Sequence, residues 1–315
     1  MSLVKPLPTL TQMPWNIKNA IVNSLDTVSK LSLRQCSKDF KDRVSKAQLT
    51  YKDLQFEVNT DSGMARVTLT IDKNLEERLD YRHRSDGYVL KNLNLETVKN
   101  GNYILAAVAQ FTKVLRNPKV LIGTFKVNFA RYDNTRLHLT VKNLVINRLH
   151  TFLVNLPHQI AVRDLLLRFD GTQEDILNLL PYLKPGSLRM LNVSAISHVF
   201  DLDSEQIGDS EQWKGARSLR LDFIDMKLPK EKWSHFSSTT VHISDPTVDQ
   251  IGGIYECRLE LAPPPIVDIS VSPSASGIEK FMCDSDAWNS EHQGCNSDGW
   301  SFNHMSRRTF QKGNQ

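Results

Sequence analysis

The segments IGTFKV (residues 122–127), VRDLLL (162–167) and LRMLNV (188–193) share one arrangement of apolar residues. In each segment the first, fourth and sixth positions are apolar. Apolar residues at the fourth and sixth positions fit a strand with one buried face, because successive side chains of a strand point to opposite faces. We therefore predict a series of similar strands, which also includes VKNLVI (141–146) and two shorter copies, Leu219 with Leu221 and Val241 with Ile243.

The spacing of these segments indicates a repeat. Their central residues, at 125, 144, 165, 191, 219 and 241, are 19 to 28 residues apart, and leucine-rich repeats are 20 to 29 residues long. A parallel strand needs a crossover of about a dozen residues, usually a helix, and Thr172 with Asp175 is typical of a helix start. The pattern predicts an irregular, leucine-rich-repeat-like α/β solenoid. An ordinary compact α/β or α+β domain is the alternative.

The residues before the repeat predict a hairpin and a helix. Residues 54–58 and 65–71 alternate apolar with polar side chains, and the turn-forming residues 59–63 lie between them. Ile104, Val108, Phe111 and Leu115 then follow helical spacing up to Pro118. We therefore expect a β-hairpin followed by a helix that opens the larger domain.

Three short helices are predicted nearer the start of the chain. Ile17, Ile21 and Leu25 recur at every fourth residue after Pro14. Asp26 or Thr27 can cap a second helix, and Ser37 can cap a third. Helices this short are marginal alone in water, so their apolar faces must pack together or against a partner.

Composition sets the class of protein. The 315 residues suffice for about two domains, and no apolar run is long enough to span a membrane. Four widely spaced cysteines are not typical of a secreted disulfide scaffold, so we expect an intracellular protein, cytoplasmic or nuclear. The net charge is +4, and residues 1–50 alone hold eight Lys or Arg against three Asp.

The predicted organisation has four parts. After Leu261 the pattern gives way to three prolines and a Ser-rich stretch, for which we expect disorder. The parts are a helical module (10–48), a β-hairpin linker region (49–95), a larger repeat domain (96–262) and a disordered tail (263–315).

Two segments resemble known families. Residues 13–44, MPWNIKNAIVNSLDTVSKLSLRQCSKDFKDRV, resemble an F-box in the Met-Pro entry, the aliphatic helix, the Asp26 turn and the Cys36-Ser37-Lys38 close with Phe40. Met13 stands where the F-box pattern usually has Leu. Residues 174–188, EDILNLLPYLKPGSL, look like the core of the FTH domain, which follows an F-box in a large nematode family of ubiquitin-ligase adaptors.

The resemblance implies a substrate-recognition adaptor of a cullin-based ubiquitin ligase of the SCF type. The F-box would bind a Skp-type subunit, and the larger domain would bind a target protein. From the F-box pattern the residues that contact the subunit would be Pro14, Ile17, Ile21, Leu25, Leu31, Leu33 and Phe40. Strand residues that alternate with buried ones would contact the target, namely Lys126, Arg168, Asn192, Arg220 and His242. The same alternation puts Val145, Asn147 and Ser244 on that face.

Two other functions are considered. Lys38, Lys41, Arg43 and Lys46 could make the N-terminal helices a nucleic-acid-binding or structural interaction module. No G-x-S-x-G, H-E-x-x-H, Walker or G-x-G-x-x-G motif occurs, so we expect neither an enzyme nor a cofactor. Cys283, His292, Cys295 and His304 lack the close Cys pair of common zinc sites, so no metal is expected.

Overall fold

The structure is a computed structural model. It describes residues 12–71, 75–92, 95–130, 135–196, 200–222, 224–233, 235–243 and 266–271, and four short strands between residues 300 and 312. The helices are α1 (Trp15–Ser24), α2 (Thr27–Cys36), α3 (Lys38–Lys46), α4 (Tyr103–Leu115), α5 (Thr135–Val154), α6 (Gln173–Leu177), α7 (Glu205–Asp209) and α8 (Glu211–Gly215). Single 3-10 turns lie at Leu180–Tyr182 and Lys230–Lys232.

Strands form a mixed sheet that follows the N-terminal helices. The strands are β1 (Leu49–Asn59), β2 (Met64–Thr70), β3 (Glu76–Arg84), β4 (Gly87–Asn92), β5 (Leu95–Lys99), β6 (Val120–Phe129), β7 (Ala161–Arg168), β8 (Met190–Ser194), β9 (Phe200–Leu202), β10 (Ser218–Asp222), β11 (Ile224–Met226), β12 (Ser238–Ile243), β13 (Ile266–Val271), β14 (Trp300–Phe302), β15 (His304–Met305), β16 (Arg307–Arg308) and β17 (Gln311–Lys312). The main sheet has the order β17-β14-β13-β12-β10-β8-β7-β6-β1-β2-β3-β4-β5. Neighbours from β1 to β13 in this order are parallel, and β1 to β5 form an antiparallel meander.

The three N-terminal helices form where the sequence predicts them. Asp26 Oδ1 accepts a hydrogen bond of 2.7 Å from the backbone N–H of Ser29 and caps α2. Ser37 Oγ accepts one of 3.3 Å from the N–H of Phe40 and caps α3. Such caps satisfy amide donors that have no partner within the helix. The chain is therefore an α+β protein with N-terminal helices ahead of a large mixed sheet.

The apolar repeat forms one row of buried side chains across adjacent parallel strands. Phe125 pairs with Leu165, Leu165 with Leu191, and Leu191 with Leu219, and none of these side chains is more than 2% exposed. β1 extends the row because Leu54 pairs with Phe125. Phe111 of α4 closes this end of the core, with its ring 5.4 Å from that of Phe56 and 5.2 Å from that of Phe125.

One predicted strand is wrong. Residues 141–146 lie in α5, so Val145 and Asn147 are helical and do not belong to the sheet. The segment also has helical spacing, since Val141, Val145 and Leu149 recur at every fourth residue and are all buried. A short apolar run can satisfy both periods, and here the 20-residue helix forms the crossover between β6 and β7.

The predicted linker and tail also differ from the structure. Residues 49–95 are not a linker region, because β1 pairs with β6 along its length and the meander continues the same sheet. Within the tail, Ile266–Val271 pairs in parallel with β12 instead of being disordered. The β-branched residues of this segment favour an extended chain, a signal that the adjacent prolines conceal.

The alternation of buried side chains shifts by one residue at the same level in two neighbouring strands. In β6 every second residue is buried up to Ile122, and the next buried residue is Phe125, so that two residues lie between these two instead of one. The same step occurs between Tyr51 and Leu54 of β1. At this level a Cβ on Gly123 would lie 2.4 Å from the carbonyl oxygen of Lys52. Glycine therefore allows the two backbones to approach.

We predict that Gly123→Ala lowers the free energy of unfolding by about 1–3 kcal/mol, the usual range for overpacking. The added methyl group meets backbone and not a movable side chain. Urea denaturation followed by far-UV circular dichroism measures the change.

Gly215→Ala is the matched control, because the nearest atom to its new Cβ would be 3.4 Å away. Its stability should stay within about 0.5 kcal/mol of the parent chain. Equal losses for the two variants would show that the approach at Gly123 is not tight.

Candidate functional site: two open surfaces

The first surface lies on α1, which exposes large apolar side chains. Trp15 is 69% exposed and Ile17 is 45% exposed. Ile21 lies one turn after Ile17 on the same side of the helix and is half-buried. Buried apolar area is the main favourable term in protein association, so the side of α1 that carries Ile17 and Ile21 is suited to a protein partner. We call Ile17 and Ile21 the α1 surface; Trp15, two residues before Ile17, lies on another side of the helix.

A small core and an ion cluster hold α1 in place. Val22 is buried, and Arg43 of α3 donates to Asn19 Oδ1 at 2.7 Å. Arg43 and Lys18 both bind Asp39, at 2.9 and 3.0 Å. Hydrogen bonds from Arg43 and then Lys18 lower the pKa of the Asp39 carboxyl. Thus Lys18 and Arg43 tie helices together, whereas Lys38, Lys41 and Lys46 remain exposed.

The predicted partner-binding residues are not equally accessible. Pro14 and Ile17 are exposed, and Phe40 is 1% exposed in the core of the protein. Phe40 therefore has no surface for a partner. The remaining four predicted residues are half-buried, namely Ile21, Leu25, Leu31 and Leu33. Sequence reasoning missed Trp15, because it is off the four-residue period; its place directly after Pro14 was the available signal.

The second surface is the open face of the sheet, where side chains alternate with the buried row. One column across the strands consists of Gln55, Lys126, Leu166, Asn192, Arg220 and Thr240. The next column consists of Glu57, Asn128, Arg168, Ser194 and Asp222. Apart from the buried Asn128, these side chains are exposed or half-exposed. The sheet thus brings together Lys126, Arg168, Asn192 and Arg220, as predicted.

The fifth predicted residue, His242, is out of register. Val241 pairs with Leu221 and Thr239 pairs with Leu219. Thr239, which is 2% exposed, therefore occupies the core position that the sequence pattern assigns to Val241. His242 lies two residues further along β12 than Thr240, the residue that pairs with Arg220. Its side chain and Ser244 lie outside the described residues.

An ion network occupies the meander end of the open face. Arg66 lies 2.7 Å from Asp80 and 3.6 Å from Glu57, and Arg78 lies 3.2 Å from Asp80. Burial alone would raise the pKa of Asp80, but hydrogen bonds from Arg66 and Arg78 outweigh burial and lower that pKa. The network lines a polar depression of about 550 Å³ that reaches Lys126 and Leu166. Within this network, the two arginines and the two carboxylates neutralise one another.

A second group of titratable residues is buried near the carboxyl ends of β6 and β7. Lys142 Nζ lies 2.6 Å from Asp175 Oδ2, which also accepts a 3.0 Å hydrogen bond from the N–H of Thr172. His138 Nε2 lies 3.8 Å from Asp170 Oδ2. All four charged or titratable side chains are buried. Because these side chains are buried, they offer little access to a substrate. Their contacts join α5 to the loop that leads into α6.

The chain is similar to known proteins in two comparisons. Residues 143–257 match the FTH domain. The chain is 22% identical over 251 residues to F-box A protein 224 of Caenorhabditis elegans, covering 76% of this chain. It spans 60% of the length of that relative. No solved structure matches. The chain therefore resembles the FTH domain over residues 143–257 and an F-box A protein over most of its length.

Within the described residues, no three His, Cys, Asp or Glu side chains are grouped so that they could hold a metal ion. Cys283, His292 and Cys295 of the considered zinc set lie outside those residues. No helix in the described part of the chain has both the length and the apolar character needed to cross a membrane.

We predict that the free energy of unfolding decreases as the pH is lowered below about 6.5, the ordinary pKa of histidine. Burial lowers the pKa of His138, so the unfolded chain takes up a proton there before the folded chain does. Stability rises with pH wherever the unfolded state binds more protons. The contribution is therefore present above pH 6.5 and is lost as pH falls toward the folded-state pKa. Unfolding free energies measured between pH 7.5 and 5 test this.

His138→Gln is the control for this titration, because glutamine keeps a polar side chain without a proton to gain. The variant should lose less stability than the parent over the same pH range. An identical pH dependence in both proteins would assign the effect to other groups.

Proposed function

We propose that the chain is a substrate-recognition adaptor of a cullin-based ubiquitin ligase. In this proposal the N-terminal helices act as an F-box that binds a Skp-type subunit, and the sheet domain binds a target protein. The match to the FTH domain supports the proposal, as does the name of the related F-box A protein. The chain supplies binding surfaces and no chemistry of its own.

The exposed Ile17 on α1 is the observation that carries the proposal. The helices α1 to α3 bury Val22, Phe40 and Val44 among themselves and against the sheet, yet leave Ile17 and Trp15 in solvent. Fully burying an isoleucine side chain contributes roughly 1.5–3 kcal/mol. A partner that covered the α1 surface would gain this free energy without disturbing the internal core.

The open face of the sheet supports the second half of the proposal. It lies on the main sheet, whereas the α1 surface lies on a helix outside that sheet. Holding a target near a ubiquitin conjugate raises its effective concentration, which accelerates transfer without catalysis by the adaptor. Two separate binding surfaces on one chain would meet that need.

We predict that Ile17→Asp weakens binding to a Skp-type subunit at least tenfold, because a buried carboxylate replaces an apolar contact. Isothermal titration calorimetry of the full chain with the purified subunit measures the change. Thermal unfolding of the variant should match that of the parent, since Ile17 is already in solvent.

Leu95→Asp is the matched control, an apolar-to-acidic change at a residue of β5 that is 75% exposed. It should bind the subunit as the parent does. Absence of any complex between the parent chain and the subunit at micromolar concentration would refute the proposal, as would equal binding by Ile17→Asp.

A further inference from the structure

The charges on the open face differ in whether they already have a partner. Glu57 pairs with Arg66, Asp164 with Arg163, and Asp222 with Arg220, each between 2.9 and 3.6 Å. In contrast, Lys126 and Arg168 form no ion pair with any residue that the structure describes. Asp53 also forms none there; it lies on β1 level with Thr124, two residues before the level of Lys126. Within the two columns, the charged side chains without an ion-pair partner are therefore both positive.

Lys126 and Arg168 lie on adjacent strands and two residues apart in register. Lys126 pairs with Leu166, and Arg168 pairs with Asn128. From the spacing of strands and residues, their Cβ atoms are about 8 Å apart. Two long, flexible cationic side chains at this distance can both reach one carboxylate placed between them.

Apolar and polar groups complete the site between these cations. Leu166 is half-buried on the same face, next to Lys126, and offers an apolar contact. Asn128 is 8% exposed; its amide donates to Glu57 at 3.5 Å, while its Oδ1 has no hydrogen-bond partner. An acceptor without a donor beside Arg168 adds negative potential and favours keeping that cation close to the sheet.

The bordering carboxylates decide between kinds of anionic partner. Glu57, Asp164 and Asp222 surround the two cations, and like charges brought together across an interface are costly. A polyanion such as nucleic acid, or an anionic membrane, would meet these carboxylates along its length. A single acidic residue beside an apolar one would meet the cations and Leu166 alone.

We propose that Lys126, Arg168 and Leu166 form a recognition site for a short segment of a target protein that carries an acidic residue next to an apolar one. This proposal rests on the proposed adaptor function and names the chemistry of its target. The carboxylate lies between Lys126 and Arg168, and the apolar side chain covers Leu166. Its affinity falls as salt rises, because the charge pairs are partly exposed.

The test is selection from a peptide library on the immobilised full chain. The library holds nonapeptides with a fixed central leucine and random flanking residues, including phosphoserine. The parent chain should enrich Asp or Glu within two positions of the leucine. The double variant Lys126→Glu/Arg168→Glu should lose that preference, and the best acidic peptide should bind it about tenfold more weakly in fluorescence anisotropy.

The matched control is Lys113→Glu/Lys184→Glu, which makes the same charge change at two exposed lysines, on α4 and in the loop before β8. It should select and bind as the parent does. The proposal is overturned if the parent enriches no acidic residue, if it selects phosphoserine and excludes Asp and Glu, or if the control loses the preference equally.

Binding of the Skp-type subunit by the same variants separates the two proposals. If the parent chain binds the subunit normally but selects no acidic residue, only the site is overturned. Acidic selection without any subunit binding supports the site and counts against the adaptor function.

Discussion

The continuous row of buried side chains across the parallel strands is the constraint on which the rest of the structure depends. Leu54, Phe125, Leu165, Leu191 and Leu219 occupy equivalent positions on five adjacent strands. Because side chains alternate along a strand, fixing this row also fixes which residues face the other way. The buried residues therefore determine the composition of the open face as strictly as they determine the core.

That open face is unusual for parallel strands, which are generally covered on both sides. Here the exposed side is polar, and its meander end is stabilised by the ion network around Asp80. At the centre, Leu166 and Asn128 leave an apolar surface and an unsatisfied acceptor beside two cations. A surface that served only to meet water would not require this mixture, so the centre of the sheet is the part suited to recognition.

Sequence reasoning succeeded where one physical signal dominated. The cap at Ser37 and the strand pattern in β6, β7 and β8 each had a single interpretation, and the structure confirms them. Of the two candidates for the second cap, Asp26 and Thr27, the structure shows Asp26. It failed at residues 141–146, where the apolar positions satisfy a strand pattern and a helix period together. It also placed His242 in the wrong column, because Thr239 is buried although a threonine does not by itself indicate a buried position. Pairing between distant strands, such as β1 with β6, leaves no local trace in the sequence.

The two surfaces illustrate different limits of prediction. On α1 the apolar period gave the helix, but the exposure of Ile17 and the burial of Phe40 depend on how three helices pack against the sheet. On the open face the alternation predicted most of the residues. Whether a charged residue there already has an ion-pair partner, however, depends on the register of the strands. Arg220 and Arg168 look alike in sequence, yet Asp222 pairs with Arg220, and no described carboxylate pairs with Arg168. Three-dimensional neighbours, and not residue types, therefore separate the cation that stabilises this face from the cation that is available to bind.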